Sequence, residues 1–169
     1  MFIAIIQSTP GWVWGLLAAV ALLGLAQTRT RTLSQGRVTV LPVVLAALSL
    51  AGTMGSFGFQ AMPLTAWMVG FALVWRCVDH AAHLRNAHGD AATGRVTVPG
   101  SWIPLGLILG IFLLKYGSGV SLALHPRLQS DALFAVGVSV ASGAFSGAFW
   151  GRARILRKLA AGFGHALAA

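Results

Sequence analysis

Between Arg37 and Arg76 lie 38 residues without a single charged side chain. An α-helix rises about 1.5 Å per residue, so the stretch would reach roughly 57 Å as one helix, against a hydrocarbon layer of about 30 Å. It is too long for one membrane span and right for two. A water-soluble domain needs charge to coat its surface, and only 9% of this chain is charged against roughly a quarter in ordinary globular domains. The hydrophobic share of 57% and the 21 glycines suit helices that pack closely in lipid, where a missing side chain lets backbones approach.

The 169 residues fit one domain. We read an all-α integral membrane bundle of five transmembrane helices, over residues 10–26, 38–55, 63–79, 101–124 and 131–150, with a short basic tail at 151–169. The first helix opens at Ser8, Thr9 and Pro10, a cap followed by proline at the first helical position. A cleaved signal peptide is the rival reading of this run. No basic side chain precedes it and Gly24-Leu25-Ala26 is a poor cleavage site, so we expect it to be retained. The long uncharged stretch divides between Ser56 and Gln60, and Pro42 is expected in the first turn of the second helix, where a missing amide costs little. Ser101 is placed to cap the fourth helix, Trp102 suits the interface, and Ser130 with Asp131 caps the fifth.

The basic residues then set the orientation. Arg29, Arg31 and Arg37 follow the first helix, Arg76, Arg85 and Arg95 the third, and Arg152, Arg154, Arg157 and Lys158 the fifth, so ten of the twelve share one side. By the positive-inside rule that side is cytoplasmic, with the N-terminus outside and the C-terminus inside a bacterial inner membrane. The charge of +9 is split into short clusters between apolar runs, which does not match a continuous nucleic-acid-binding face, and we expect no nucleic-acid partner. The bilayer is the expected partner, with a second copy or another membrane subunit as a further one.

Glutamate is absent and the acids are Asp79, Asp90 and Asp131, too few for carboxylate-rich metal chemistry. Cys77, the single cysteine, has no internal disulfide partner. Lys115 lies within the fourth span, where an ammonium costs up to a few kcal/mol unless it pairs or reaches water. A substrate or ion pathway through Lys115, Tyr116 and Asp131 is one reading. Snorkelling to the outer interface, helped by a helix loosened at Gly117 and Gly119, is the blander one. Ser118, Ser121 and Gln60 could add hydrogen bonds.

Cys77, Asp79, His80 and His83 have spacings that permit a metal site on a helix, yet they spread over more than one face, and an ordinary polar helix exit is the competing account. His80, His83 and His125 are the candidate ligands of an alternative haem- or metal-binding redox protein. We expect no cofactor. Ser139, Gly143, Gly147 and Gly151 recur every four residues, a small-residue stripe for close helix packing inside the chain or against a partner. No serine, histidine and aspartate set shares one membrane face at helix spacing, so an enzyme is the least favoured class.

Residues 35–42 (QGRVTVLP) and 93–100 (TGRVTVPG) nearly repeat. Both could be small strands beneath the membrane, but we read them as arginine anchors at helix starts.

The run Pro99-Gly100-Ser101-Trp102-Ile103-Pro104-Leu105, continued by Phe112 and Lys115-Tyr116, resembles a family of small bacterial multi-pass membrane proteins of unknown function. The likeness extends to Thr9-Pro10, Trp12, Leu41-Pro42 and Gly151-Arg152 and covers most of the chain. It implies a membrane bundle and assigns no catalytic or ligand residue. The Cys77–His88 run is not part of it. With transport or accessory-subunit work as the favoured activity, the expectation is a non-enzymatic multi-pass protein.

Overall fold

The computed structural model describes residues 11–26, 31–81, 88–90, 95–98 and 101–166. Five α-helices build it among these residues: α1 (Gly11–Ala26), α2 (Gln35–Phe57), α3 (Ala61–Ala81), α4 (Ile103–Leu124) and α5 (Ala132–Ala166). A short 3-10 helix, Pro126–Ser130, joins α4 to α5. Three short strands, β1 (Arg31–Ser34), β2 (His88–Asp90) and β3 (Arg95–Val98), form an antiparallel sheet in the order β1-β3-β2. Strand β3 pairs Thr97 with Thr32 on one side and with His88 on the other.

Among the described residues, three helices are long and apolar enough to cross a membrane: 61–80 in α3, 103–124 in α4 and 132–157 in α5. Pro42–Phe57 of α2 is a shorter apolar stretch, and the 16 residues of α1 reach only about 24 Å.

The tightest packing joins α3 to α5. A Cβ at Gly143 would land on the carbonyl oxygen of Trp67, one at Gly147 on that of Phe71, and one at Gly70 on that of Val140. Residue numbers rise together on the two helices, so α3 and α5 run parallel with their backbones in contact. Close approach is possible only because the Cβ is missing at these crossing points. Ser139, at the head of the same stripe, is fully buried, and Gly151 sits where a Cβ would meet the side chain of Val78. Helix α2 packs antiparallel to α5, with Ser49 near Ser142 and Ser56 near Gln129. It closes in a left-handed turn at Gly58, φ 73°, whose N–H donates to the Met54 carbonyl at 2.7 Å, a conformation that glycine adopts without a Cβ clash.

Helices α4 and α1 form a looser outer pair. Gly110 of α4 faces the Phe145 ring of α5, and Gly24 of α1 faces Leu105 of α4. Along α4 only Pro104 is buried, and α1 has its main contacts with α4.

The local signals fare unevenly. The hydroxyl of Ser101 accepts the N–H of Ile103 at 3.3 Å, and Trp102 is exposed. The carboxylate of Asp131 accepts the N–H of Phe134 at 2.8 Å and so caps α5. The proposed cap at Ser8, Thr9 and Pro10 lies outside the described residues. Three expectations need correction. Pro42 is not in the first turn, because α2 begins at Gln35; it sits in the helix interior, where it cannot donate to the carbonyl four residues earlier. Gly117 and Gly119 do not break α4, which is continuous to Leu124: glycine lowers helix propensity by only about 1 kcal/mol against alanine, which the long helix around them absorbs, and a Cβ at either glycine would meet nothing. The basic tail is helical as far as Ala166, because Ala153, Ile155 and Leu156 are buried and hold the additional turns to the bundle.

The two near-repeats take different structures. Residues 35–42 are helical, whereas Arg95–Val98 is the central strand and pairs with Arg31–Ser34 instead of with its echo. Pro99 and Gly100 follow the second copy at once, where the first copy has Leu41 before its proline and runs on into an apolar helix. The sheet contacts α5 and links the segment after α1 to the segment before α4.

Candidate functional site

Two polar constellations stand out, one inside the bundle and one at its arginine-rich end. The inner one is a seam of hydroxyls. The Trp67 indole N–H donates to Ser49 Oγ at 3.2 Å, and Ser49 Oγ donates to the Ser142 carbonyl at 3.2 Å, which ties α3, α2 and α5 together. Ser146 donates to the same carbonyl at 3.0 Å, and Thr53 donates to the Ser49 carbonyl at 3.0 Å. Ser49, Thr53, Trp67, Ser139, Ser142 and Ser146 are all buried, and the hydroxyls of Ser139 and Ser142 have no hydrogen-bond partner among the described residues. None of these residues is an acid or a base, so the seam offers no group to activate a hydroxyl for nucleophilic attack. Its chemistry is adhesion. Sequence reasoning singled out Ser139 alone of this set. The signal for the others was the run of small polar residues at 139, 142 and 146 beside the glycine stripe.

Lys115, half-buried in α4, turns to α2. Its ammonium lies where a Cβ at Gly52 would sit 3.1 Å from Nζ, so the absent side chain at Gly52 makes room for the charge. The Lys115 carbonyl accepts the hydroxyl of Ser118 at 3.0 Å. Tyr116 stacks on Phe112, with 6.1 Å between ring centroids and 4° between planes. Lys115 and Asp131 are not joined in an ion pair: the carboxylate is at the N-terminus of α5, serving its cap. Gln60 is exposed ahead of α3, and the amide of Gln129 reaches the Ser56 carbonyl at 3.2 Å.

At the far end of α3, Cys77 is exposed and His80 Nδ1 lies 2.9 Å from the Arg76 carbonyl. Asp79 pairs with Arg154 of α5 at 3.8 Å. His83 lies outside the described residues. No three histidine, cysteine or acidic side chains converge as metal ligands among the described residues. His125 is exposed at the C-terminus of α4, the end at which α5 begins, and His80 is at the end where α3 finishes.

The guanidinium of Arg154 also lies over the Trp75 ring, 5.3 Å from its centroid. This interaction belongs to an aromatic ladder: Trp67, Phe71 and Trp75 succeed one another along α3 at four-residue intervals, and Trp150 of α5 meets Phe71 with centroids 6.2 Å apart. Where the ladder ends, a cleft of about 300 Å³ opens, lined by Pro42, Trp75, Trp150, Ala153, Arg154 and Arg157. The Trp75 indole nitrogen is buried with no acceptor among the described residues. Arg157 is exposed and has no carboxylate within 4.0 Å among the described residues.

The model of a family of unknown function, DUF6622, matches residues 1–166. The chain belongs to DUF6622. No curated protein matches it, and no solved structure does. For this DUF6622 member, membership agrees with the resemblance seen around the Pro99–Leu105 run and brings no residue role with it.

Proposed function

We propose that this DUF6622 chain is a multi-pass protein of the bacterial inner membrane, crossing it five times with its N-terminus outside, and that it works as a non-enzymatic accessory subunit. The observation that carries the reading is the parallel backbone contact of α3 with α5. Parallel neighbours separated by α4 require the chain to return across the bundle between them, as alternating spans do. The β1–β3 pairing supports the same arrangement, since it brings the loop of Arg31 to the loop of Arg95 on a sheet that touches α5. With Arg152, Arg154 and Arg157 on α5, the charge gathers at one end, as the positive-inside rule requires of a cytoplasmic face.

Accessory work is favoured over transport because α3 and α5 leave no solute-sized gap between them, while the exposed α4 offers a flank to another subunit. Alkaline phosphatase and fluorescent-protein fusions at the two ends test the topology. Activity of the first only at the N-terminus and of the second only at the C-terminus is expected, and both ends in one compartment overturns five spans. Affinity purification from native membranes, with mass spectrometry of what stays bound, tests the accessory role: a stoichiometric membrane protein is expected, and a chain that purifies alone counts against it.

A second reading, anion handling, is favoured by the placement of the Lys115 ammonium between α4 and Gly52 of α2. Lys115→Met should abolish anion flux into proteoliposomes if that reading holds. Flux that is absent from the unmodified protein, or unchanged in the variant, removes it.

A further inference from the structure

We infer that the cleft of Pro42, Trp75, Trp150, Ala153, Arg154 and Arg157 is a binding site for the phosphate headgroup of one anionic phospholipid. The inference rests on the membrane reading above. Its chemistry begins with charge. Two guanidinium groups line the cleft and, among the described side chains, the acid beside them is Asp79, which is paired with Arg154, so these groups keep an excess of positive charge. Arginine presents donors in a planar fork that matches a phosphate, and it is held more readily at a partly buried site than lysine is.

Position supplies the second argument. Arg154 is fixed from two sides, by Asp79 and by the face of Trp75, so its donors are oriented before a ligand arrives. Trp75 and Trp150 are the residue type that settles at the headgroup level, and they lie near the end of the apolar segments of α3 and α5.

Shape distinguishes a lipid from a free anion. The helices that line the cleft expose apolar side chains on their other faces, Val43 and Val44 on α2 and Leu73 on α3, so under the membrane reading acyl chains surround the cleft's helices. A ligand with a phosphate in the cleft and acyl chains in that surrounding lipid layer buries both ends of its chemistry, whereas inorganic phosphate satisfies only the arginines. Basic pockets between helix ends are a general means of holding anionic headgroups.

The test is native mass spectrometry of the full chain, released from mixed micelles of detergent with equimolar phosphatidylglycerol and phosphatidylcholine. One retained phosphatidylglycerol per chain is expected, with little phosphatidylcholine. Arg157→Gln and Arg154→Gln should each lower its retention roughly five-fold, and Arg76→Gln, an exposed charge outside the cleft, should leave it unchanged. Arg157 makes no ion pair among the described residues, so its variant keeps the test valid if Arg154→Gln misfolds. Equal retention of the two lipids, or an equal loss with Arg76→Gln, overturns the site. Displacement of phosphatidylglycerol by excess inorganic phosphate also overturns it and makes the free anion the occupant. Failure of the chain to enter phosphatidylcholine nanodiscs as a helical species overturns the membrane reading itself, which separates the two failures.

Discussion

Ser49 accepts the indole N–H of Trp67 and donates to the Ser142 carbonyl, so one hydroxyl holds three helices. Ser49→Ala leaves a buried indole donor unpaired, and it should destabilise the bundle by roughly 1–2 kcal/mol. Unfolding of the full chain by sodium dodecyl sulfate in mixed micelles measures this. Trp67→Phe removes the other partner, and the double variant should cost less than the sum of the two, because the bond is lost only once. A glycine pair on α5 gives a second prediction at this scale. Gly147→Ala pushes a methyl into the Phe71 carbonyl, and overpacking of this kind costs about 1–3 kcal/mol. Gly137→Ala meets open space on the same helix and should be neutral or stabilising by up to about 1 kcal/mol. Equal effects of the two would overturn the backbone contact of α3 with α5. The small-residue stripe was visible as a four-residue period. What could not be read from it was the partner, since α3 marks its side of the contact chiefly with backbone carbonyls, which every residue has.

Element ends were legible where a side chain acts on its own backbone. Asp131 announces α5 as its cap, whereas α4 has Trp102 at the cap position with no side-chain cap bond, and Ser101 one residue earlier accepts the Ile103 N–H. Asp131→Ala should lower stability by about 1 kcal/mol, whereas Asp131→Asn, which caps as well, should not. The same unfolding assay decides. Loss with asparagine as great as with alanine would point to the charge of Asp131 and revive a role beside Lys115. Elements set by distant contacts were not legible. Arg95–Val98 becomes the middle strand because Arg31–Ser34 and His88–Asp90 flank it, whereas the same Arg-Val-Thr-Val letters at 37–40 continue into an apolar helix. Likewise α5 outlasts the apolar run that marked it, because Ala153, Ile155 and Leu156 bury against the bundle. Lys115 could be flagged by sequence as an intramembrane charge, but its direction depends on the gap left by Gly52, sixty-three residues earlier in the chain.

The whole molecule divides into a dense core and a loose pair. Helices α2, α3 and α5 share the hydroxyl seam and the backbone contacts, while α4 has one buried residue and α1 leans on α4. Protection against local opening follows buried contact, so α1 and α4 should open before α2, α3 and α5. Hydrogen–deuterium exchange of the full chain in mild detergent should show the slowest amides in residues 64–75 and 139–150, with α1 and α4 exchanging faster by a factor on the order of 10 or more, the ratio that a difference of about 1.4 kcal/mol produces. Detergent covers the lipid-facing side of every helix alike, so the difference reports helix packing and not shelter from water. If α1 and α4 proved as slow as α3 and α5, the outer pair would be a full part of the core, and α4 would lose its standing as the flank that receives another subunit. If they exchange early, adding a genuine partner should slow α4 first, because ordering by a ligand falls where the free protein opens most easily.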